Sequence, residues 1–329
     1  MTDAPPKTIG FVVIGRNEGP RLERCLKSVL AVSKRAVYAD SASTDGSAAL
    51  AERLGVRTIV LKDDGRLSAA RGRNAGYAEL IARFPECDAV QFIDGDCILQ
   101  PGWIETAMGF LQDHPEVAVA CGRRFEAYPG ASIYNARCDQ EWNTPVGQAT
   151  ESGGDALVRR AAFDEVGGYD GGLRAGEEPE MTARMRASGW QIWRLDAPMA
   201  EHDAKILTLG QWWKRTQRGG FGFAQVWSAT RPLPQRLYAR QLRSAFLWAF
   251  AFPLAVVVAA ILSRQACVLL AIPAAYALQI TRIAMRSSGP QRWTNAALVF
   301  LAKFPEALGA ARFFTRGAGR SLPEYKAHG

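Results

Sequence analysis

The stretch Ala89-Val90-Gln91-Phe92-Ile93-Asp94-Gly95-Asp96 sets two carboxylates one residue apart at the end of a mainly apolar run. A short apolar run of this kind is typical of a strand buried in a parallel sheet. Mg²⁺ and Mn²⁺ prefer oxygen ligands and often share them with a substrate phosphate. Asp94 and Asp96 are therefore candidate ligands of a divalent cation, although the pair alone is weak evidence because surface turns are rich in Asp and Gly.

Strands alternate with helices on both sides of this motif. The predicted strands cover residues 8–14, 36–39, 57–61, 88–93 and 117–121, and helices are expected between them. This alternation predicts an α/β fold with a doubly wound, mostly parallel, Rossmann-like sheet. The first turn, Gly15-Arg16-Asn17-Glu18-Gly19, lacks the glycine fingerprint of dinucleotide-binding proteins, which argues against a dehydrogenase.

Acidic residues follow three of the predicted strands. Glu18 comes after the first strand, Asp40 after the second and Asp94 after the fourth. Ligands of doubly wound sheets bind beyond the carboxyl ends of the strands, so these side chains are expected at one edge.

The pattern is less regular beyond residue 121. Residues 123–150 show no clear period, residues 159–166 and 179–188 are predicted to be helical, and residues 191–195 are predicted to be a strand leading towards His202.

Composition narrows the class of protein. The 329 residues are 48% apolar and 22% charged, which excludes a disordered chain, and the net charge is +8. No basic stripe or nucleic-acid-binding module accompanies this charge, so no nucleic-acid partner is expected. Six dispersed cysteines without a CxxC pair favour a reduced, cytosolic environment. Residues 1–7 are short and polar and contain no secretory apolar segment.

Two long uncharged runs distinguish the last hundred residues. Residues 245–262 and 266–280 contain no charged side chain and are separated only by Ser263-Arg264-Gln265. A helix of about 20 apolar residues spans a bilayer, so a membrane hairpin over residues 245–280 is expected. Arginines crowd the outer flanks of the pair, which predicts both ends on the cytoplasmic side. A buried helical subdomain of a soluble protein is the alternative.

A third apolar stretch, residues 295–314, is interrupted by Lys303, Pro305 and Glu306 and fits an interfacial or re-entrant helix. The chain is accordingly divided into a catalytic domain, residues 1–230, and a membrane-associated helical region, residues 231–329. Membrane lipids are therefore an expected partner.

Several short motifs occur in a fixed order in the first two hundred residues. They are Val13-Ile14-Gly15-Arg16-Asn17-Glu18, Asp40-Ser41-Ala42-Ser43-Thr44-Asp45-Gly46, Ala70-Arg71-Gly72-Arg73-Asn74-Ala75-Gly76, Asp94-Gly95-Asp96, Ser152-Gly153-Gly154 with Val166-Gly167-Gly168-Tyr169-Asp170, and Gly176-Glu177-Glu178. This ordered set resembles the family 2 glycosyltransferases, which have a GT-A fold. The resemblance covers residues 8–202.

The resemblance implies a nucleotide-diphosphate sugar as donor and co-substrate, with Mg²⁺ or Mn²⁺ as cofactor. Asp40 would hydrogen-bond the base with Glu18 nearby, and Arg73 would also face the nucleotide. Asp94 would approach the ribose and the metal.

For the metal itself, the resemblance implies that Asp96 binds directly and that His202 completes the site. The cation would stabilise the departing nucleoside diphosphate.

An inverting transfer requires a base that takes the proton from the acceptor hydroxyl. By resemblance this base is Glu178, where the family commonly has Asp, and Glu177 remains a second candidate. Acidic residues that favour a helix N-terminus would be the structural explanation of the pair. The region before the apolar runs, Thr216-Gln217-Arg218-Gly219-Gly220-Phe221, lacks the Q-x-x-R-W segment of processive synthases, which favours transfer of a single sugar.

The sequence thus predicts a metal-dependent inverting glycosyltransferase of the hexosyltransferase type. It would act at the cytoplasmic face of the inner membrane, as an integral protein, on a lipid-linked saccharide in cell-surface polysaccharide or glycolipid synthesis. A polyprenyl-phosphate glycosyltransferase is the nearest alternative, and a nucleotidyltransferase or a non-enzymatic membrane scaffold is a more distant one.

Overall fold

A computed structural model of the chain describes residues 7–65 and 67–316. The predicted catalytic domain begins at residue 1 and the predicted C-terminal region ends at residue 329, so residues 1–6 and 317–329 of these predictions lie outside the described residues.

Within the described residues, nine strands form one mixed sheet. They are β1 (Ile9–Gly15), β2 (Ala36–Asp40), β3 (Arg57–Val60), β4 (Ala89–Asp94), β5 (Cys97–Leu99), β6 (Val117–Glu126), β7 (Gly147–Ala149), β8 (Ala156–Arg159) and β9 (Gln191–His202). The order across the sheet is β3-β2-β1-β4-β8-β6-β9-β5, and β7 also pairs with β9.

The sheet changes direction at β8. Strands β1 to β4 pair in parallel, as the alternation of strands and helices predicts. β8 then runs antiparallel to both β4 and β6, whereas β6 and β9 are parallel to each other. Because β8 is reversed, its first residue lies beside the carboxyl end of β4.

Helices cover the sheet and extend beyond it. They are α1 (Pro20–Leu30), α2 (Ser47–Arg53), α3 (Ala69–Arg83), α4 (Trp103–Asp113), α5 (Ile133–Trp142), α6 (Arg160–Glu165), α7 (Glu177–Ala187), α8 (Leu209–Ala229), α9 (Ala239–Phe246), α10 (Phe252–Ser263), α11 (Ala271–Met285), α12 (Arg292–Leu301) and α13 (Lys303–Arg316). The α3 helix approaches β1 so closely that a Cβ atom at Gly76 would lie 2.5 Å from Cγ1 of Val12. Glycine at this position therefore permits the helix to pack on the strand.

Several elements differ from those predicted. The α7 helix begins at Glu177 rather than at Pro179, so both glutamates lie in its first turn. Residues 156–159 form β8 immediately before the short helix that was expected from residue 159. The stretch 123–150 contains α5. Its sequence shows no clear period because this helix is polar on most sides and buries only Asn135 and Cys138.

Two continuous helical segments follow α8. The first, Ala239–Ser263, comprises α9, a π-helical turn and α10, and the second, Ala266–Met285, ends with α11. Each is long and apolar enough to cross a membrane by length and composition, and little of either is buried in the protein. Leu262, for example, is 80% exposed.

The third apolar stretch forms two helices, α12 and α13, instead of one. The α13 helix returns to the catalytic part of the chain and packs along α8. A Cβ atom at Gly309 would lie 2.0 Å from the carbonyl oxygen of Gln217, and one at Gly220 would lie 2.1 Å from that of Glu306. The two helices therefore contact each other backbone to backbone at these glycines.

Candidate active site

The first acidic cluster forms where β4 passes into β5. Asp94 ends β4 and Cys97 begins β5, which pairs antiparallel with β9 so that Cys97 lies opposite His202. This register brings Oδ2 of Asp96 to 3.2 Å from Nε2 of His202. One ligand atom from each of Asp96, Cys97 and His202 lies within 4.8 Å of the others. Both Asp96 and His202 are buried, and the ring of Trp142 from α5 packs edge-on against His202.

A second cluster adjoins it and includes a residue that the sequence did not single out. Asp94, Cys97 and Asp155 also place ligand atoms within 4.8 Å of one another. Asp155 is buried, and its Oδ1 accepts a hydrogen bond from the backbone N–H of Asp94 at 2.9 Å. The Nε of Arg124 lies 3.4 Å from its Oδ2. Burial raises the pKa of Asp155, an effect that the charge of Arg124 opposes.

The sequence did contain a signal for Asp155. This residue directly precedes β8, and an acid before an antiparallel strand reaches the same edge as an acid after its parallel neighbour. The prediction of a mostly parallel sheet directed attention to strand ends alone.

The residues at this edge fit a divalent cation. Asp96 supplies carboxylate oxygen, which suits Mg²⁺ and Mn²⁺, and His202 supplies imidazole nitrogen, which is more typical of transition metals. Burial raises the pKa of the Cys97 thiol well above its usual range. The thiol therefore remains protonated and donates to Asp155, with Sγ 3.2 Å from Oδ2, so that it supports the site as a hydrogen-bond donor.

Arg73 connects this edge to the two glutamates of α7. Its Nη2 lies 2.9 Å from Oδ1 of Asp94, and its Nη1 lies 2.8 Å from Oε1 of Glu177 and 2.9 Å from Oε1 of Glu178. The side chain is only 2% exposed. Burial lowers the pKa of Arg73, but the negative charges of Glu178 and Asp94 outweigh this effect and raise the pKa well above its usual range. The guanidinium therefore stays charged.

Glycine at position 154 makes room for this contact. A Cβ atom there would lie 2.2 Å from Nη2 of Arg73 and 3.0 Å from Oε1 of Glu178. The Ser152-Gly153-Gly154 segment thus acts on the site through the space that it leaves for Arg73.

Glu178 has the electrostatics of a group that exchanges a proton near neutral pH. Burial, followed by repulsion from Glu177, raises its pKa from 4.5 to about 7, although the charge of Arg73 lowers it. Its side chain is 16% exposed, against 8% for Glu177. A carboxylate with a pKa near the working pH is well suited to general-base catalysis.

Glu18 and Asp40 lie at the same edge of the sheet, at the ends of β1 and β2. Asp40 is fully buried, and its two oxygens accept hydrogen bonds from the Tyr38 hydroxyl at 2.8 Å and the Ser43 backbone N–H at 2.7 Å. Glu18 pairs with Arg21 at 2.8 Å. Asp40 therefore fixes the loop after β2, and its predicted contact with a base stays a prediction.

A comparison with known protein families matches the part of the chain that carries most of these residues. Residues 11–167, which include Glu18, Asp40, Arg73, Asp94 and Asp96, match the family model described as "Glycosyl transferase family 2". These residues form a family 2 glycosyltransferase domain. The match supports glycosyl transfer over the nucleotidyltransferase and scaffold alternatives.

A curated relative is similar to a larger part of the chain. The succinoglycan biosynthesis protein ExoA of Rhizobium meliloti is 28% identical over 205 residues, which are 59% of this chain and 61% of ExoA. The chain thus matches less than two thirds of the relative's length.

Solved structures share the fold. A mannosyltransferase from Pyrobaculum calidifontis, solved with GDP-Man and Mn²⁺, superposes with a TM-score of 0.57 at 18% identity, covering 96% of this chain and 90% of the other. The first 349 residues of S. aureus TarS, solved with UDP, give a TM-score of 0.50 at 14% identity, covering 94% and 91% of the two chains. The predicted GT-A glycosyltransferase fold is confirmed.

Proposed function

We propose that this protein is a metal-dependent inverting glycosyltransferase that transfers a hexose from a nucleotide-diphosphate sugar to a lipid-linked saccharide. The observation that carries the proposal is the position of Arg73, whose guanidinium contacts Asp94 at one end and Glu177 and Glu178 at the other. One buried side chain thus fixes the distance between Asp94, beside the predicted metal site, and Glu178, the candidate base.

Glu178 is the catalytic base in this mechanism. Its carboxylate takes the proton from the acceptor hydroxyl while that oxygen bonds to the anomeric carbon of the donor sugar. The bond between the anomeric carbon and the donor phosphate breaks, and its electron pair leaves with the nucleoside diphosphate. Attack from the face opposite the leaving group inverts the anomeric configuration. Glu177 is less exposed and serves to hold Arg73 and to raise the pKa of Glu178.

Asp96 and His202 would hold the cation, with Asp94 directed to the ribose and the metal. When bound, Mn²⁺ or Mg²⁺ would neutralise charge on the diphosphate leaving group. Asp155 positions Asp94 by accepting its N–H, and Arg124 balances the buried charge of Asp155. The Mn²⁺ complex of the Pyrobaculum mannosyltransferase supports this assignment at the level of the fold.

The donor nucleotide would bind beyond the carboxyl ends of β1 and β2, in front of Glu18 and Asp40. This position follows from the general location of ligands on doubly wound sheets. The GDP-Man and UDP complexes of the two structural relatives support a nucleotide-linked sugar as the class of donor.

The apolar helices support a membrane location and hence a lipid-linked acceptor. Large apolar side chains remain exposed along both segments, including Ile261 at 68% and Leu278 at 71%. Exposed apolar surface of this extent marks a membrane or protein interface. The arginines that flank the pair favour the cytoplasmic face, and the similarity to ExoA favours a role in cell-surface polysaccharide synthesis.

The test is isothermal titration of the full chain in detergent with UDP-, GDP- and dTDP-sugars, with and without Mn²⁺. We expect one donor to bind only with the metal, and Asp96→Ala to abolish this binding. Asp113→Ala, which removes an exposed carboxylate at the end of α4, is the matched control and should bind as the unmodified chain does. Failure of every donor to bind folded protein with metal present would refute the proposal.

A further inference from the structure

A cavity of about 470 Å³ lies next to the candidate active site. Its walls come from α5, α8, α12 and α13, together with Tyr238 at the start of the first apolar segment. None of the predicted donor, metal or base residues lines it among the described residues.

The charged lining of the cavity is predominantly positive. Among the described residues it contains four cationic side chains and two carboxylates, namely Arg137, Arg215, Arg218, Lys303, Glu141 and Glu306. Arg137 and Arg215 share Glu141, at 3.3 and 2.8 Å. Lys303 pairs with Glu306 at 2.7 Å. The balance is an excess of two positive charges, which suits an anion such as a phosphate or diphosphate.

Apolar surface complements these charges. Trp212, Phe223 and Leu298 line the same cavity, and the ring of Phe223 packs against that of Tyr238 at 4.6 Å between centroids, with the planes tilted by 41°. Tyr238 directly precedes Ala239–Ser263, the first segment long enough to cross a membrane. An occupant could thus place its anion on the arginines and extend an apolar chain towards the apolar helices.

The cavity also adjoins the candidate base. Ala175 and Gly176 form part of its wall, and Glu177 and Glu178 follow them directly in sequence. The hydroxyl of Tyr238 donates to Glu151 at 2.5 Å. Burial, followed by the negative charges of Glu151 and Glu178, raises the pKa of Tyr238 well above its usual range. Tyr238 thus joins the start of the first apolar segment to Glu151, which lies three residues before Gly154.

We propose that this cavity binds the phosphate or diphosphate that joins an acceptor sugar to its lipid. The inference rests on the proposed function and adds to it the site of the acceptor's anionic group. Arg218 is the residue that best tests it, because among the described residues it pairs with no carboxylate and donates a hydrogen bond to the carbonyl of Arg174 at 3.2 Å.

The probe is farnesyl diphosphate, titrated into the full chain in detergent. EDTA is present so that no metal bound at Asp96 and His202 contributes to binding. Arg218→Gln should weaken binding about tenfold or more, the effect expected for one charge-assisted hydrogen bond. Lys214→Gln is the matched control, since Lys214 is exposed on the same helix one turn away and does not line the cavity. Arg137→Gln provides a second variant on a different helix, in which Arg215 still neutralises Glu141.

Two further titrations identify the source of the anion. Inorganic pyrophosphate should bind more weakly than farnesyl diphosphate, because it lacks the apolar chain. Equal affinity for the two would overturn the assignment to a lipid. With Mn²⁺ in place of EDTA, Asp96→Ala should leave farnesyl diphosphate binding unchanged. Loss of binding in that variant, with no effect of Arg218→Gln, would place the anion at the predicted metal site and overturn the inference.

The two proposals fail separately. Metal-dependent donor binding without farnesyl diphosphate binding would refute the acceptor site and leave the transferase in place. Loss of donor binding in the unmodified chain would refute the transferase itself.

Discussion

The backbone N–H of Asp94 donates a 2.9 Å hydrogen bond to the buried carboxylate of Asp155, 61 residues further along the chain. The bond joins the end of a parallel strand to the beginning of an antiparallel one. It ties the conformation of the Asp94-Gly95-Asp96 turn to a charge that is itself held by Arg124.

Replacing Asp155 should therefore disturb metal binding without removing a predicted ligand. Asp155→Asn keeps an acceptor for the Asp94 N–H but loses the charge opposite Arg124, and we expect the affinity for Mn²⁺ to fall about tenfold, as for other residues that orient metal ligands. Titration of Mn²⁺ monitored by its electron paramagnetic resonance signal measures the change. Asp88→Asn, at an exposed position before β4, should leave the affinity unaltered.

Arg73 should be essential to stability as well as to transfer. Arg73→Met leaves Asp94, Glu177 and Glu178 without their shared cation, and breaking a buried ion pair typically lowers the free energy of unfolding by about 3–5 kcal/mol. Urea denaturation of the detergent-solubilised protein provides the measurement. Arg71→Met is the matched control on the same helix. The side chains of Arg71 and its partner Asp64 are 33% and 42% exposed, so we expect the free energy of unfolding to fall by less than about 1 kcal/mol.

The pH dependence of transfer should reflect Glu178. Only its carboxylate accepts the proton, so kcat/KM should rise with pH and level off above about 7. Glu178→Gln should lower kcat by about 10²–10⁴-fold and flatten the profile. Glu105→Gln, at an exposed position on α4, should do neither. A phosphate nucleophile needs little base assistance, so an active Glu178→Gln enzyme would instead favour a polyprenyl-phosphate acceptor.

The same pKa predicts a trend in stability. Folding raises the pKa of Glu178 from 4.5 to about 7, so the folded state binds its proton more tightly than the unfolded state does. The stabilisation is fully present below pH 4.5 and is lost as the pH rises through about 7. Between these values, the free energy of unfolding of Glu178→Gln should decline less with pH than that of the unmodified chain.

A methyl group at position 154 should displace Arg73. Because its Cβ would lie 2.2 Å from Nη2 of Arg73, Gly154→Ala should separate the guanidinium from Asp94 and reduce kcat by roughly 10²-fold, the scale of a 1 Å misplacement at an active site. Gly153→Ala is the neighbouring control, since a Cβ there meets no atom of the described chain within 4 Å. Initial rates with saturating donor, together with melting temperatures, separate misplacement from unfolding. Equal rates for the two variants would contradict the expected role of Gly154.

Membrane attachment should depend on the exposed apolar side chains of α10 and α11. The double variant Leu262→Lys, Leu278→Lys introduces two charges whose insertion costs about 2.5–3.5 kcal/mol each at the centre of a bilayer, less near its surface. We expect the protein to shift from the membrane pellet to the soluble or aggregated fraction on ultracentrifugation. Leu207→Lys, at a 50% exposed position before α8, should remain in the pellet.

Sequence patterns singled out the candidate site residues that follow a clear apolar run or lie in an ordered set of motifs. Asp94 and Asp96 were visible because a clear apolar run precedes them, and Arg73 because its motif lies in a fixed order with the others. Asp155 and Arg124 were missed because their importance comes from pairing across the sheet, which local periodicity does not encode. The α5 helix was missed because its buried side is too polar to produce an apolar stripe, yet it brings Trp142 to His202.

The backbone contact between α8 and α13 limits how far the catalytic domain can move relative to the apolar helices. The chain leaves the catalytic domain after α8, passes through the apolar hairpin and returns along α8 by way of Gly220 and Gly309. The first leg of the hairpin contacts α8 and α13 through α9, and the second leg contacts α12, which precedes α13, so the hairpin is held close to the catalytic domain. If the hairpin inserts as proposed, Glu178 stands at a constant height above the lipid headgroups. The enzyme would then select acceptors whose polar portion holds the reactive hydroxyl at that height.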